Sequence, residues 1–370
     1  MTDLFTINLF TVERLLAAAV YVAAASCMAI WSASRIMARI RNRHVKRPLA
    51  VLASLAVVAI ALLSGLVMGI TPWLAAPIVT LIAAVGFEAR RLLLRHQHGG
   101  SPPVQTTPLP VLRRPIWPAR PVVSYYRMAL PQKTAPACRI LHVSDLHINR
   151  YFPEAWFTQA VGSLRETRPD LLFLTGDFVD RTRDIPRLAD IIRPLAALGR
   201  AFAVLGNHDF WVGAEAVAAE LRNAGVTVLR NETRRVALKN GSLLVSGSEE
   251  PWQYGARWPD PGEPDSTLFV LSHTADRMSR FIAAHADAVF SGHYHAGQVR
   301  VPLLGPLIVP SVHGRRFDHG HFVFGRTHLF VSAGIGTEYP PPRVFCRPDV
   351  FVLDVGAGQR TAGQQGPIPI

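Results

Sequence analysis

The sequence predicts an α/β domain built as two packed mixed β-sheets flanked by helices, preceded by an all-α transmembrane region. Three observations carry this expectation. Short apolar runs alternate with helix-like segments through the second half of the chain, each ligand-rich cluster of Asp, His, Asn and Gly follows such a run, and the first hundred residues hold three long, nearly uncharged apolar stretches.

Those stretches come first, at about 15–33, 48–70 and 73–88. The first two approach the roughly 20 residues a membrane helix needs, and the third is short for one. A secretory signal is the alternative for the first, but no small-residue cleavage site precedes the basic cluster and further stretches follow. Arg35, Arg39, Arg41, Arg43, Lys46 and Arg47 crowd the first connection, and Arg90, Arg91 and Arg95 follow the third stretch. Basic segments stay cytoplasmic, so three spans place the domain that follows on the cytoplasmic side of the inner (cell) membrane, and two would reverse it.

The chain has 370 residues, a mean hydropathy of +0.20 and a net charge of +13. Residues 1–137 hold 15 Lys/Arg against 3 Asp/Glu, and the remainder 24 against 23. The basic excess therefore flanks apolar segments, which argues for a bilayer partner and against nucleic acid. Cys27, Cys138 and Cys346 match no zinc-ribbon spacing. Oligomeric state is not fixed by any of this.

Residues 98–137 read as a Pro-rich basic linker, with nine prolines and the unpaired Arg113, Arg114, Arg120, Arg127 and Lys133. Such a segment suits an anionic bilayer surface or a solvated spacer. The domain is expected over 138–356, and 357–370 as a disordered tail. Within the domain, runs at Ile140–Val143, Leu171–Leu174, Ala201–Leu205, Leu268–Leu271 and Ala288–Phe290 read as strands of a largely parallel core. Leu243–Ser246 and Leu329–Ser332 read as strands of a second sheet. Helices are expected over 153–166, 186–198, 214–224 and 275–284.

The five strands deliver Asp145-Leu146-His147, Gly176-Asp177-Phe178-Val179-Asp180, Gly206-Asn207-His208-Asp209, Ser272-His273 and Gly292-His293-Tyr294-His295. Carboxylates, imidazoles and one carboxamide form a donor set for borderline divalent ions, Mn²⁺, Zn²⁺ or iron, rather than for thiolate-seeking ones. A phosphodiester anion repels hydroxide. Two such ions about 3.5–4 Å apart neutralise that charge and lower the pKa of a bridging water, and a shared carboxylate must hold them together. Asp177, after a buried strand and a permissive glycine, is placed for that task.

At these residues the chain resembles the calcineurin-like metallophosphoesterase superfamily, whose ordered pattern is met in full over 138–300. Val301–Gly305 and Ser332–Thr337 extend the likeness to a bacterial membrane-associated branch, in which Thr and Gly usually stand where this chain has Tyr294 and Ala296. The resemblance implies Asp145, His147 and His295 on one metal, Asn207, His273 and His293 on the other, and Asp177 bridging. It also implies that His208 faces the phosphate, with Asp209 orienting its ring and Asp180 supporting the ligands. The expected activity is that of a membrane-anchored binuclear-metal phosphoesterase. It would hydrolyse a phosphodiester or pyrophosphate bond by attack of a metal-bridging hydroxide on phosphorus, with a phosphorylated or lipid-linked small molecule as substrate. A non-enzymatic membrane scaffold with a structural metal site is the alternative. His313, Arg315, Arg316, His319 and His321 are a further candidate phosphate cluster, for which a solvated loop is the favoured reading.

Overall fold

The computed structural model describes residues 22–30, 48–57, 75–106, 121–130, 136–149, 154–253, 266–302, 305–338 and 343–356, with single positions between 33 and 59. The chain divides into two compact units, Met1–Gln97 with Leu307–Arg316, and His98–Pro306 with Phe317–Ile370.

In the first unit, helix α1 spans Ala75–Gln97. It corrects the expected third span at 73–88. Glu88, Arg90, Arg91 and Arg95 enter the same helix, leaving too short an apolar stretch to cross a bilayer. Among the described residues, no helix is long and apolar enough to do so. The expected spans 15–33 and 48–70 lie largely outside the described residues. Glu88 pairs with Arg91 at 2.7 Å and with Arg315.

The second unit carries the strands β1 (Gln105–Thr106), β2 (Val122–Met128), β3 (Cys138–Val143), β4 (Leu171–Thr175), β5 (Arg200–Val204), β6 (Thr227–Val228), β7 (Thr233–Leu238), β8 (Gly241–Ser248), β9 (Leu268–Ser272), β10 (Ala288–Ser291), β11 (Arg300–Val301), β12 (Gly305–Pro306), β13 (Gly320–Phe324), β14 (Thr327–Val331) and β15 (Asp349–Val355). Helices α2 (Glu154–Leu164), α3 (Leu188–Ala196), α4 (Asn207–Val212), α5 (Ala214–Asn223) and α6 (Met278–Ala283) alternate with them. One sheet has the order β1-β2-β15-β3-β4-β5-β6, the other β13-β14-β10-β9-β8-β7, and β11 with β12 forms a small ribbon. Both large sheets are mixed: β3 to β6 run parallel while β15 is antiparallel to β3, and β8, β9, β10 and β14 run parallel between antiparallel edge strands.

Alternation of side chains across each strand explains the layering. On the first sheet Leu141, Val143, Leu172, Leu174, Val350 and Val352 pack with α2, α3 and α5. Their neighbours Ile140, Leu171, Phe173, Phe351 and Leu353 face inward to meet Phe269, Phe290 and Phe330 of the second sheet. Phe290 stacks on Phe330 at 5.5 Å and meets Phe173 edge-on at 5.0 Å, so the space between the sheets is filled largely by aromatic rings.

Two expectations are corrected here. β2 lies inside the segment read as a linker: Pro121 and Pro131 flank the strand rather than break it, and its alternating burial pairs it in parallel with β15. Two of the five strands expected in one parallel core, β9 and β10, belong to the second sheet. Sequence order cannot reveal that change of sheet, because both sheets use parallel neighbours. The expected tail at 357–370 lies outside the described residues.

Candidate metal centre

β3, β4 and β5 from one sheet and β9 and β10 from the other end at the same edge of the sandwich. Beyond their ends the first two loops stay zipped together, with Asp145 N donating to Gly176 O at 3.0 Å, His147 N to Asp177 O at 2.9 Å and Ile148 N to Phe178 O at 2.8 Å. The turns are sharp. Asp145, His147, Asp177, His293 and His295 have φ of 52, 44, 54, 71 and 49°, in the left-handed region that non-glycine residues occupy at a cost. Two glycines make the crowding tolerable. A Cβ on Gly206 would lie 2.2 Å from Asp177 Oδ1, and one on Gly292 2.0 Å from Asp145 Oδ2.

The expected ligands converge in two groups, Asp145 with His147 and His295, and Asp177 with His273 and His293. In the first, His147 Nε2 and His295 Nε2 are 3.0 Å apart, and Asp145 Oδ1 lies 3.8 and 3.4 Å from them. In the second, His273 Nε2 lies 3.1 Å from Asp177 Oδ2. Neighbouring ligands bound about 2.1 Å from one ion sit roughly 3.0–3.4 Å apart, a spacing that His295 makes with His147 and Asp145, and His273 with Asp177. Asp177 also lies 3.6 Å from His147 Nε2, which places it between the groups. Asn207 is buried, and its Oδ1 has no hydrogen-bond partner among the described residues. Such an orphaned acceptor is rare unless something else satisfies it.

Charge at the centre is mutually arranged. Burial opposes ionisation of Asp177, yet His273, His208 and His147 around it hold its pKa well below the usual carboxylate range. Asp145 is likewise held low against burial by His295, His147 and His273. Burial would keep His273 neutral, but Asp177 and Asp145 push it up to about 8. His295 is lowered to about 4, chiefly by burial.

His208 joins His147 and Asp177 in a third donor group, yet both of its ring nitrogens face carboxylates. Its Nδ1 lies 2.9 Å from Asp180 Oδ1 and its Nε2 2.6 Å from Glu338 Oε1. Although burial disfavours its charge, Asp177, Asp180 and Glu338 together push it up to about 9. Trp211 leans on this ring at 4.6 Å, while Trp252 lies 5.3 Å from both His273 and His293.

The expected role of Asp209 is corrected. Its carboxylate does not orient the His208 ring, because α4 begins at Asn207 and its first turn points Asp209 back at the preceding backbone. It accepts from the amides of Gly206, Asp177 and Phe178, each at 2.9 Å. Asp180 takes the orienting role. Tyr294 is a second departure. It is buried. Its hydroxyl donates to Asp276 Oδ1 at 2.9 Å, accepts from Ala275 N at 3.1 Å and lies 2.8 Å from Thr274 Oγ1, tying the His273 loop to the His293 loop.

Sequence reasoning missed Glu338 and Arg343. Arg343 is 1% exposed and donates to the carbonyls of Ala333, Gly334 and Gly336, holding the Ser332–Thr337 turn against the site. Of the residues considered as a phosphate cluster, with a solvated loop favoured, His319 pairs with Asp349 and His321 stacks on Phe330 at 4.4 Å.

A fold with ligand-rich loops gathered where two mixed sheets end, and two groups of ionised carboxylates and imidazoles, defines a metal-dependent phosphoesterase. Residues 138–297 match the family profile described as calcineurin-like phosphoesterase. The chain is 33% identical over 235 residues to Phosphodiesterase YaeI of Escherichia coli (strain K12), covering 62% of this chain and 86% of that protein. It is 30% identical over 231 residues to the uncharacterized metallophosphoesterase YkuE of Bacillus subtilis (strain 168), covering 58% and 78%. The chain belongs to the calcineurin-like phosphoesterases.

Proposed function

We propose that this enzyme cleaves phosphodiester or pyrophosphate bonds at a centre of two divalent cations. Asp145, His147 and His295 would hold one, Asn207, His273 and His293 the other, and Asp177 both. The observation that carries the reading is the pair of converging donor groups on either side of Asp177, with Asn207 Oδ1 left without a hydrogen bond among the described residues. The cations, when bound, neutralise phosphoryl charge and make a water nucleophilic near neutral pH. His208 binds a phosphoryl oxygen through Nε2–H and supplies that proton to the departing oxygen. Asp180 supports this by accepting at Nδ1, which turns Nε2 outward and stabilises the charged ring. Asp209 keeps Asp177 aimed by holding its amide.

Within the first unit, Ile82, Val85, Phe87, Leu92 and Leu93 of α1 are exposed, and basic residues crowd the apolar stretches. These features support attachment at the inner membrane and a lipid-linked phosphate as substrate.

The full-length protein in detergent, loaded with Mn²⁺, should hydrolyse bis-p-nitrophenyl phosphate. Activity should vanish with a chelator and fall at least about a hundredfold in His208→Asn while both metals are retained. Turnover that survives metal removal would sink the reading. Preference for water-soluble nucleotides over micellar phospholipids would sink its lipid part, and release from membranes by carbonate its anchoring.

A further inference from the structure

His208 Nε2, the atom that faces phosphate in the proposed reaction, is bonded to the carboxylate of Glu338 at 2.6 Å. A carboxylate is an unexpected neighbour for a site that must take up anions. Its position is built in. Gln298 fixes the Glu338 backbone from both sides, Nε2 donating to its carbonyl at 3.0 Å and Oε1 accepting from its amide at 3.0 Å. The turn before it runs along the ligand backbone, with Ile335 N donating to Ser144 O at 3.1 Å and Gly336 N to Asp145 O at 2.7 Å. The buried Arg343 guanidinium clasps that turn through three carbonyls. The Glu338 side chain is 25% exposed, enough to yield to a ligand but not to leave.

We propose that Glu338 determines specificity by charge, admitting phosphoryl groups that carry one negative charge and rejecting those that carry two. A diester oxygen that takes the His208 hydrogen moves the carboxylate aside and leaves it beside the phosphoryl group. A diester has one ionised oxygen; a monoester near neutral pH approaches two, since its second pKa is about 6. The additional charge faces a like charge held beside the nearly buried His208, which disfavours the monoester. The phosphomonoester released by diester hydrolysis is multiply charged and meets the same barrier, so product is expelled, and orthophosphate shares that charge. The inference rests on the proposed diesterase reaction for its substrate class, while the charge effect on phosphate binding is independent of turnover.

The test compares full-length wild type, Glu338→Gln and Glu338→Asp, all loaded with Mn²⁺. Values of kcat and KM are taken for bis-p-nitrophenyl phosphate and p-nitrophenyl phosphate, and orthophosphate binding is measured by calorimetry at pH 8. In Glu338→Gln the monoester kcat/KM should rise about tenfold relative to that of the diester, mainly through KM. Orthophosphate should bind about tenfold tighter, and Glu338→Asp should keep the wild-type preference. Equal changes for both esters, or unchanged phosphate affinity, would overturn the proposal. If wild type hydrolyses neither ester, the diesterase reading fails, and phosphate affinity alone decides on Glu338.

Discussion

His147 and His208 share one carboxylate oxygen: Asp180 Oδ1 lies 2.6 Å from Nδ1 of the first and 2.9 Å from Nδ1 of the second. The two rings stand perpendicular, 4.7 Å apart. A candidate metal ligand and the candidate proton donor are thereby oriented by the same group. Asp180→Asn should therefore lower metal affinity and kcat together, each by about ten- to a hundredfold. Titrating Mn²⁺ against activity and against metal content would separate the two losses; a change in kcat alone would show that His147 does not depend on Asp180.

Asp209 is a tie between loops. Removing its carboxylate leaves three buried amides of the Asp177 and Gly206 loops without an acceptor, each costing about 1–3 kcal/mol. Asp209→Ala should lower Tm by 10 °C or more, by about the conversion for a domain of this size. An unaltered melting curve with lost turnover would return Asp209 to the catalytic role expected from its place beside His208.

Tyr294→Phe removes only a hydroxyl, yet that hydroxyl joins the loops carrying His273 and His293. A loss of about 1–3 kcal/mol is expected, together with weaker binding of one of the two metals. Metal content after dialysis should fall towards one equivalent in the variant, with His208-dependent steps otherwise intact.

His321 makes the fold acid-sensitive away from the site. Burial, reinforced by His328 and opposed by the Ser101 carbonyl, lowers it to about 4. Its Nε2 lies 2.9 Å from His328 Nδ1. An unfolded histidine titrates near 6.5, so between about pH 6.5 and 4 the unfolded chain holds a proton that the folded chain refuses. Stability present above pH 6.5 is lost as pH falls, by about 2 kcal/mol from this group. His321→Phe, which preserves the stacking on Phe330, should flatten urea-denaturation midpoints over that range; an equally steep decline would place the acid sensitivity elsewhere.

Much of this was legible in the sequence. Apolar runs capped by ligand residues located β3, β4, β5, β9 and β10, because a buried strand leaves an unmistakable pattern and the site chemistry sits at its end. β2 was hidden by prolines that turned out to flank it, and β15, inserted between β2 and β3, follows the site by fifty residues. Asp180, besides its expected support of His147, takes the ring-orienting role expected of Asp209, because adjacency along the chain says nothing about which way the first turn of α4 points a side chain. Glu338 had no signal: it is a single acidic residue after a glycine-rich turn, and only folding brings it to His208.

The aromatic layer between the sheets has a consequence for how the enzyme is handled. Two of the three donor groups draw from both sheets, Asp145 and His147 with His295, and Asp177 with His273 and His293. A cation held by either of these groups would rivet one sheet to the other at the open end of the sandwich, while the stacked phenylalanines set the gap. Occupancy and folding are then one equilibrium seen from two sides: at a metal concentration a hundredfold above its dissociation constant, each site adds about 2.7 kcal/mol to the folded state. The melting temperature of the purified protein thus serves as a gauge of how completely it has been charged with metal.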